Sequence, residues 1–295
     1  MRTRTAVLIA GVCLTAAAAA RGSGAQAEGT WRVKRLEVVR GLQVPECLVA
    51  DPAKGLVYIS NIVAGEGAYW DDDGKGFISQ MTSDGQMKQL RWLDSKPEDV
   101  LNAPKGMCVL GDVLYFSDNA RLMRCPTKGA PKPEQVPLPG AKRLNDVATD
   151  GQAVYVSDIE QGVLYKVDPS GGHTVLKAPP GVNGVTCHQG RMWAVSWGLH
   201  EVYELDPDGR TVPKPFGLAE HFTNLDGIEM LDDGSFIVSD FTGNKVSLIA
   251  PDGKSVHTLV ELESPADVGL DRTRGLLYVP QFMKDQAVVF KLERR

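Results

Sequence analysis

A short pattern recurs along this chain at intervals near 40 residues, and it limits the fold more than any other feature. Each copy opens on a polar or small residue set among apolar ones. The openings are Pro45-Glu46-Cys47-Leu48, Pro104-Lys105-Gly106-Met107, Leu144-Asn145-Asp146-Val147, Val182-Asn183-Gly184-Val185, Leu225-Asp226-Gly227-Ile228 and Pro265-Ala266-Asp267-Val268. From Glu46 onward they are spaced by 59, 40, 38, 43 and 40 residues. A Gly- or Asp-containing turn and a second β-rich run follow each one, as Asp232-Asp233-Gly234 leads into Ser235-Phe236-Ile237-Val238. That is the pattern of a β-hairpin. A third strand then leads through Asp-Pro-x-Gly turns, at Asp168 and Asp206, into a fourth. Four short strands per unit at this period predict an all-β chain folded as a β-propeller, and six openings predict six blades.

The two ends of the chain fit the same count. After Ala266 only three strand-like runs remain, residues 266–270, 275–281 and 287–293. Residues 31–39 are expected to supply the missing outer strand, so that both termini close the last blade and no open edge is left. The long first spacing reflects an insertion in blade 1, residues 62–76, which carries Tyr69 and Trp70 and reads as a lid over one face of the ring.

Residues 1–27 read as a secretory signal peptide. Arg2 and Arg4 precede an apolar run from Ala6 to Ala20, and Ala25-Gln26-Ala27 offers a small-x-small cleavage site. The mature chain, residues 28–295, is then expected outside the cytoplasm, in a periplasm or the cell exterior. No later run approaches the ~20 apolar residues of a membrane span. Loss of Arg2, Arg4 and Arg21 takes the formal charge from −5 to −8. An acidic chain without a basic block does not fit nucleic acid as a partner. Cys47, Cys108, Cys125 and Cys187 show no paired spacing and read as small apolar residues rather than as a disulfide framework.

In a propeller the first strand of each blade lines the central channel, and all first strands begin on one face. Glu46, Lys105, Asn145, Asn183, Asp226 and Ala266 therefore converge on the axis. Two carboxylates confined together repel and lose hydration unless a cation sits between them. Two carboxylates plus two amide oxygens make a hard, all-oxygen set that suits Ca²⁺ or another divalent cation, and the absence of His and Cys from it speaks against zinc or copper. Asp71-Asp72-Asp73-Gly74 does not form an EF-hand loop, because Tyr69 and Gln80 would stand where that loop needs acidic ligands.

Pro45-Glu46, the run Arg143-Leu144-Asn145-Asp146, Asn183-Gly184 and Asp226-Gly227, in this order and one per blade, resemble the metal-binding positions of the regucalcin (senescence marker protein) and gluconolactonase family. The resemblance spans the mature chain. It implies that Glu46, Asn183 and Asp226 bind a divalent metal, usually calcium, with Asn145 as a fourth or water-mediated ligand. It further implies that Arg143 reaches substrate and that Asp226 acts as general base or nucleophile. Lys105 departs from the pattern: it either opposes the cation or grips an anionic substrate. Leu144 replaces the family's phenylalanine.

Asp118 and Asp158, which end second strands, and His221, on the loop before Asp226, are further candidates for contact with substrate or with the ligands. The plainer reading of such strand-end acids is turn and cap chemistry, and of a loop histidine, a surface residue. Two functions remain open on the sequence. One is an exported, calcium-dependent hydrolase of lactones or other ester-like bonds, acting on a small molecule such as a sugar lactone or an anionic ester. The other is a non-catalytic propeller that binds a ligand or protein around a structural calcium.

Overall fold

The computed structural model describes residues 30–65 and 67–295, so the proposed signal peptide lies outside the described residues. Six four-stranded sheets surround a central channel, and every paired ladder is antiparallel. Blades 1 to 5 begin with the innermost strands Pro45–Asp51, Pro104–Leu110, Leu144–Thr149, Val182–His188 and Leu225–Met230. In blade 6 the strands Gly269–Asp271, Leu276–Gln281, Gln286–Arg294 and Trp31–Arg40 succeed one another from the axis outward. Only two single-turn 3₁₀ segments, Ala219–His221 and Phe282–Lys284, interrupt the strands among the described residues.

Burial follows distance from the axis. The second strand of blade 5, Phe236–Asp240, is buried at every position, whereas the fourth strand of blade 3, His173–Lys177, buries only Leu176. The core is divided among the interfaces between blades. Tyr58, Ile78 and Trp92 of blade 1 pack on Met107, Leu114 and Phe116 of blade 2, and Trp193 and Val195 of blade 4 pack on Ile228 and Phe236 of blade 5. Each such side chain contributes about 1.5–3 kcal/mol on burial, so the ring is held by its inter-blade seams. The four described cysteines are free thiols; Cys47, Cys108 and Cys125 are buried and Cys187 partly so.

Each opening in blades 1 to 5 is a β-bulge. The pairing register jumps between Pro45 and Leu48, Pro104 and Met107, Leu144 and Val147, Val182 and Val185, and Leu225 and Ile228. Two residues per blade thus leave the ladder at the axis, the re-aiming that bulges provide. Serines on the second strands satisfy N–H groups freed there: Cys47 donates to Ser60 Oγ at 2.9 Å, Asp146 to Ser157 Oγ at 2.9 Å and Gly227 to Ser239 Oγ at 2.8 Å. In blades 2, 4 and 5 the residue after the opening, Gly106, Gly184 or Gly227, is also a point of close approach between blades. A Cβ at Gly184 would lie 2.3 Å from the Asp226 carbonyl oxygen, and one at Gly227 would lie 2.6 Å from the Val268 nitrogen. Glycine is required by contact with the neighbouring backbone, not by its own conformation.

Candidate active site at the channel mouth

The strand openings meet at the floor of a cavity of about 330 Å³ on the lid face of the ring. Glu46, Lys105, Asn145, Asn183 and Asp226 form that floor, and Ile62, Tyr69, Trp70, Ile159, Trp197, Phe241, Phe282 and Met283 form the wall. A second cavity, of about 310 Å³, opens at the other end of the channel, where the innermost strands end. It holds Asp146, Asp267, Glu229 and Arg272 but none of the expected metal ligands.

The floor is buried and only partly satisfied. Asn183 Nδ2 donates to Asp226 Oδ1 at 3.1 Å. Glu46 Oε2, Asn145 Oδ1 and Asn183 Oδ1 are buried without a hydrogen-bond partner. Orphaned buried acceptors are rare, and leaving one unpaired costs about 1–3 kcal/mol. Three of them, contributed by three different blades, line one floor with a fourth source of oxygen donors, the Asp226 carboxylate. This donor set fits a hard divalent cation better than it fits any arrangement of protein hydrogen bonds. Among the described residues there is no cluster of three or more His, Cys, Asp or Glu suited to a metal, so the fit rests on the two amides as much as on the two carboxylates.

The electrostatics point the same way. Burial, and then the nearby Asp226 charge, push the Glu46 carboxyl well above its ordinary range, against the opposing pull of Lys105. Burial followed by the Asp146 charge raises Asp226 to about 7, although the Asn183 amide pulls it down. Burial lowers Lys105 to about 8, while Glu46 and Asp118 act against that shift. The ammonium is already engaged: Nζ donates to Ala103 O at 2.9 Å and to Asn119 Oδ1 at 3.0 Å, and lies 3.9 Å from the centre of the Trp70 ring.

Ile62, Tyr69 and Trp70 of the blade 1 insertion line this cavity. Asn119 fastens the insertion, donating from Nδ2 to Trp70 O and Asp71 O at 3.2 Å each and to Asp72 Oδ1 at 2.7 Å. Asn119 sits at φ 55°, a left-handed conformation that asparagine tolerates, so one side chain ties Lys105 to the lid. Ahead of it, Tyr69 packs edge-on against Phe282, which packs edge-on against Phe241, and Phe241 meets Trp197 at 5.5 Å.

The remaining sequence candidates lie elsewhere. Arg143 is half exposed, 3.5 Å from Glu160 and 5.3 Å from the Trp70 ring centre, and does not line the cavity. Asp118 accepts from the Asn102 and Ala103 amides and pairs with Arg121; Asp158 accepts from those of Lys142 and Arg143. Both therefore fasten the loop that enters an innermost strand, as Asp240 does for Thr223 and Asn224. His221 lies outside the cavity, with its side chain 3.9 Å from Glu220. Asn119, Phe241, Phe282 and Met283 carried no sequence signal that set them apart, because only the ring geometry brings them together.

Neither a protein-family model nor a curated protein matches the sequence. Solved structures do match the fold. A virginiamycin B lyase from Staphylococcus aureus superposes with a TM-score of 0.61 at 14% identity, covering 88% of this chain and 99% of that one. A proposed gluconolactonase gives 0.65 at 18%, covering 90% and 93%. A nidogen–laminin complex gives 0.62 at 16%, covering 73% and 85%. At these identities the likeness is one of fold.

Proposed function

We propose that this chain is an exported, divalent-metal-dependent hydrolase of lactones or related esters, with calcium as the metal. The observation that carries the reading is the set of three orphaned buried oxygens, from Glu46, Asn145 and Asn183, beside Asp226 at the base of a walled cavity. Glu46, Asn145, Asn183 and Asp226 would hold the ion. Bound there, calcium would supply polarisation of an ester carbonyl and stabilisation of negative charge on its oxygen.

The chain's own groups account for the rest. Asp226 is the floor carboxylate placed to take a proton from water bound in the cavity. The Asn183 amide bonded to its Oδ1 fixes the orientation of that carboxylate. Lys105 contributes a buried positive charge held in place by Ala103, Asn119 and Trp70. The aromatic wall and lid keep bulk water from the floor, which strengthens these interactions. A histidine-dependent mechanism is less favoured: a histidine-to-alanine form of virginiamycin B lyase is described as catalytically inactive, while no histidine lines this cavity.

The test is Asp226→Asn, which keeps an oxygen ligand and removes the base. Proton release is followed across lactones and aryl esters, with calcium and with chelator. Wild type should turn over at least one class only when metal is present, and the variant should lose on the order of a hundredfold in kcat while retaining weakened metal binding. Calcium binding without turnover of any ester would instead support the non-catalytic propeller.

A further inference from the structure

The wall of the cavity bears on which ester or lactone it admits. Above the polar floor the enclosing side chains are Tyr69, Trp70, Trp197, Phe241, Phe282 and Met283, with Ile62 and Ile159 beside them. Tyr69, Phe282, Phe241 and Trp197 form a continuous file of ring contacts, with centroids 4.8, 5.4 and 5.5 Å apart. The side-chain polar groups of the wall itself are few: the Tyr69 hydroxyl and the indole N–H groups of Trp70 and Trp197. The Tyr69 hydroxyl contacts Met283 Sδ at 3.5 Å, Lys105 spends two of its three N–H donors on Ala103 and Asn119, and the Asn119 amide is spent on the lid. Arg143, which could have met an anionic group, stands outside beside Glu160.

A polyhydroxylated ring placed here would exchange water for aromatic faces at several hydroxyls. Each hydroxyl carried in without a partner weakens binding by roughly tenfold. An alkyl or aryl group gains instead, by about fourfold for every methylene buried. The volume of about 330 Å³ falls within the range of small-molecule sites. We infer that the site takes a lactone or ester with an apolar body, an alkyl or aryl group packed on Tyr69, Trp197, Phe241 and Phe282, and discriminates against sugar lactones. The nature of the reacting group rests on the hydrolase reading; the apolar body rests on the wall alone.

The experiment separates the two. Calcium-loaded protein is titrated with lactams, which present the same carbonyl but resist hydrolysis, and binding is read by calorimetry and by tryptophan fluorescence. A δ-lactam carrying an alkyl chain or a phenyl ring is compared with a sugar δ-lactam of the same ring size. The substituted lactam should bind at least tenfold more tightly, with affinity rising about fourfold per methylene until the cavity is full. Phe241→Ala should cut that affinity about tenfold and leave the sugar lactam unchanged; since Phe241 is only partly buried, Trp197→Ala serves as a second variant with the same expectation. Equal or tighter binding of the sugar lactam, a flat response to chain length, or no binding of either would overturn the inference. Turnover of the matching lactones is scored separately, so tight binding of the apolar lactam without hydrolysis would retire the hydrolase and keep the apolar site.

Discussion

Removing the metal should expose a pH-dependent instability whose size follows from the floor of the cavity. Asp226 is fully buried, and its protonation midpoint rises from the ordinary 3.8 to about 7 when the fold forms. A carboxyl raised in the folded state contributes stability that is complete below its unfolded midpoint and is lost as pH climbs through the folded one. The whole loss is about 4 kcal/mol, of which about 3 kcal/mol falls between pH 5 and pH 8. Glu46, displaced in the same direction, adds to it. For a domain of this size 3 kcal/mol corresponds to roughly 6–12 °C in Tm. Asp146 and Asp267 are also raised by burial, so the informative quantity is the difference between calcium-loaded and chelated protein at each pH. That gap in Tm, measured by scanning calorimetry, should be several degrees wider at pH 8 than at pH 5. A gap that is absent, or equal at both pH values, would refute the claim that Glu46 and Asp226 are held charged by a cation.

Two substitutions test the surroundings of the site. Asn119→Gly keeps the left-handed backbone but removes the hydrogen bonds to Lys105 and to the lid; it should cost about 2 kcal/mol in urea unfolding and speed hydrogen exchange within residues 62–76 more than elsewhere. Arg143→Ala should change kcat/KM less than threefold on neutral lactones, because the guanidinium does not line the cavity; a tenfold loss would show that it swings in to meet substrate.

The architecture was legible because a propeller repeats its information. Five openings located the innermost strands of blades 1 to 5, and with them the convergence of Glu46, Lys105, Asn145, Asn183 and Asp226 on one floor; the sixth, Pro265 to Val268, lies just ahead of its strand Gly269–Asp271, and Ala266 does not line the floor. What the sequence could not convey was direction and partnership. Asp118 and Asp158 sit on the correct face, yet their oxygens turn back onto the loop amides before Pro104 and Leu144. Ser60 and Ser157 looked like ordinary strand residues, and their work in satisfying bulge amides appears only once the register shift is seen. The wall was invisible for a different reason. Phe241 and Phe282 belong to different blades and meet because the ring closes, and no pattern within a single repeat encodes that contact.

Charge balance along the channel gives Lys105 a place that neither opposition to the metal nor grip on substrate supplies. Glu46, Asp146, Asp226 and Asp267 are all buried around the axis. Burial raises both Asp146 and Asp267, which favours a proton held by this pair. Four carboxyls sharing one proton carry three negative charges, more than a divalent cation can neutralise. Lys105 provides the remaining positive charge, immobilised by Ala103, Asn119 and the Trp70 face so that its position is independent of substrate. On the reading proposed here, proton, ammonium and divalent ion together bring the channel to neutrality, a condition buried charge must approach to be tolerated at all. Lys105→Met should then loosen the whole floor rather than one substrate contact, and its effect belongs on metal affinity and stability before it belongs on KM.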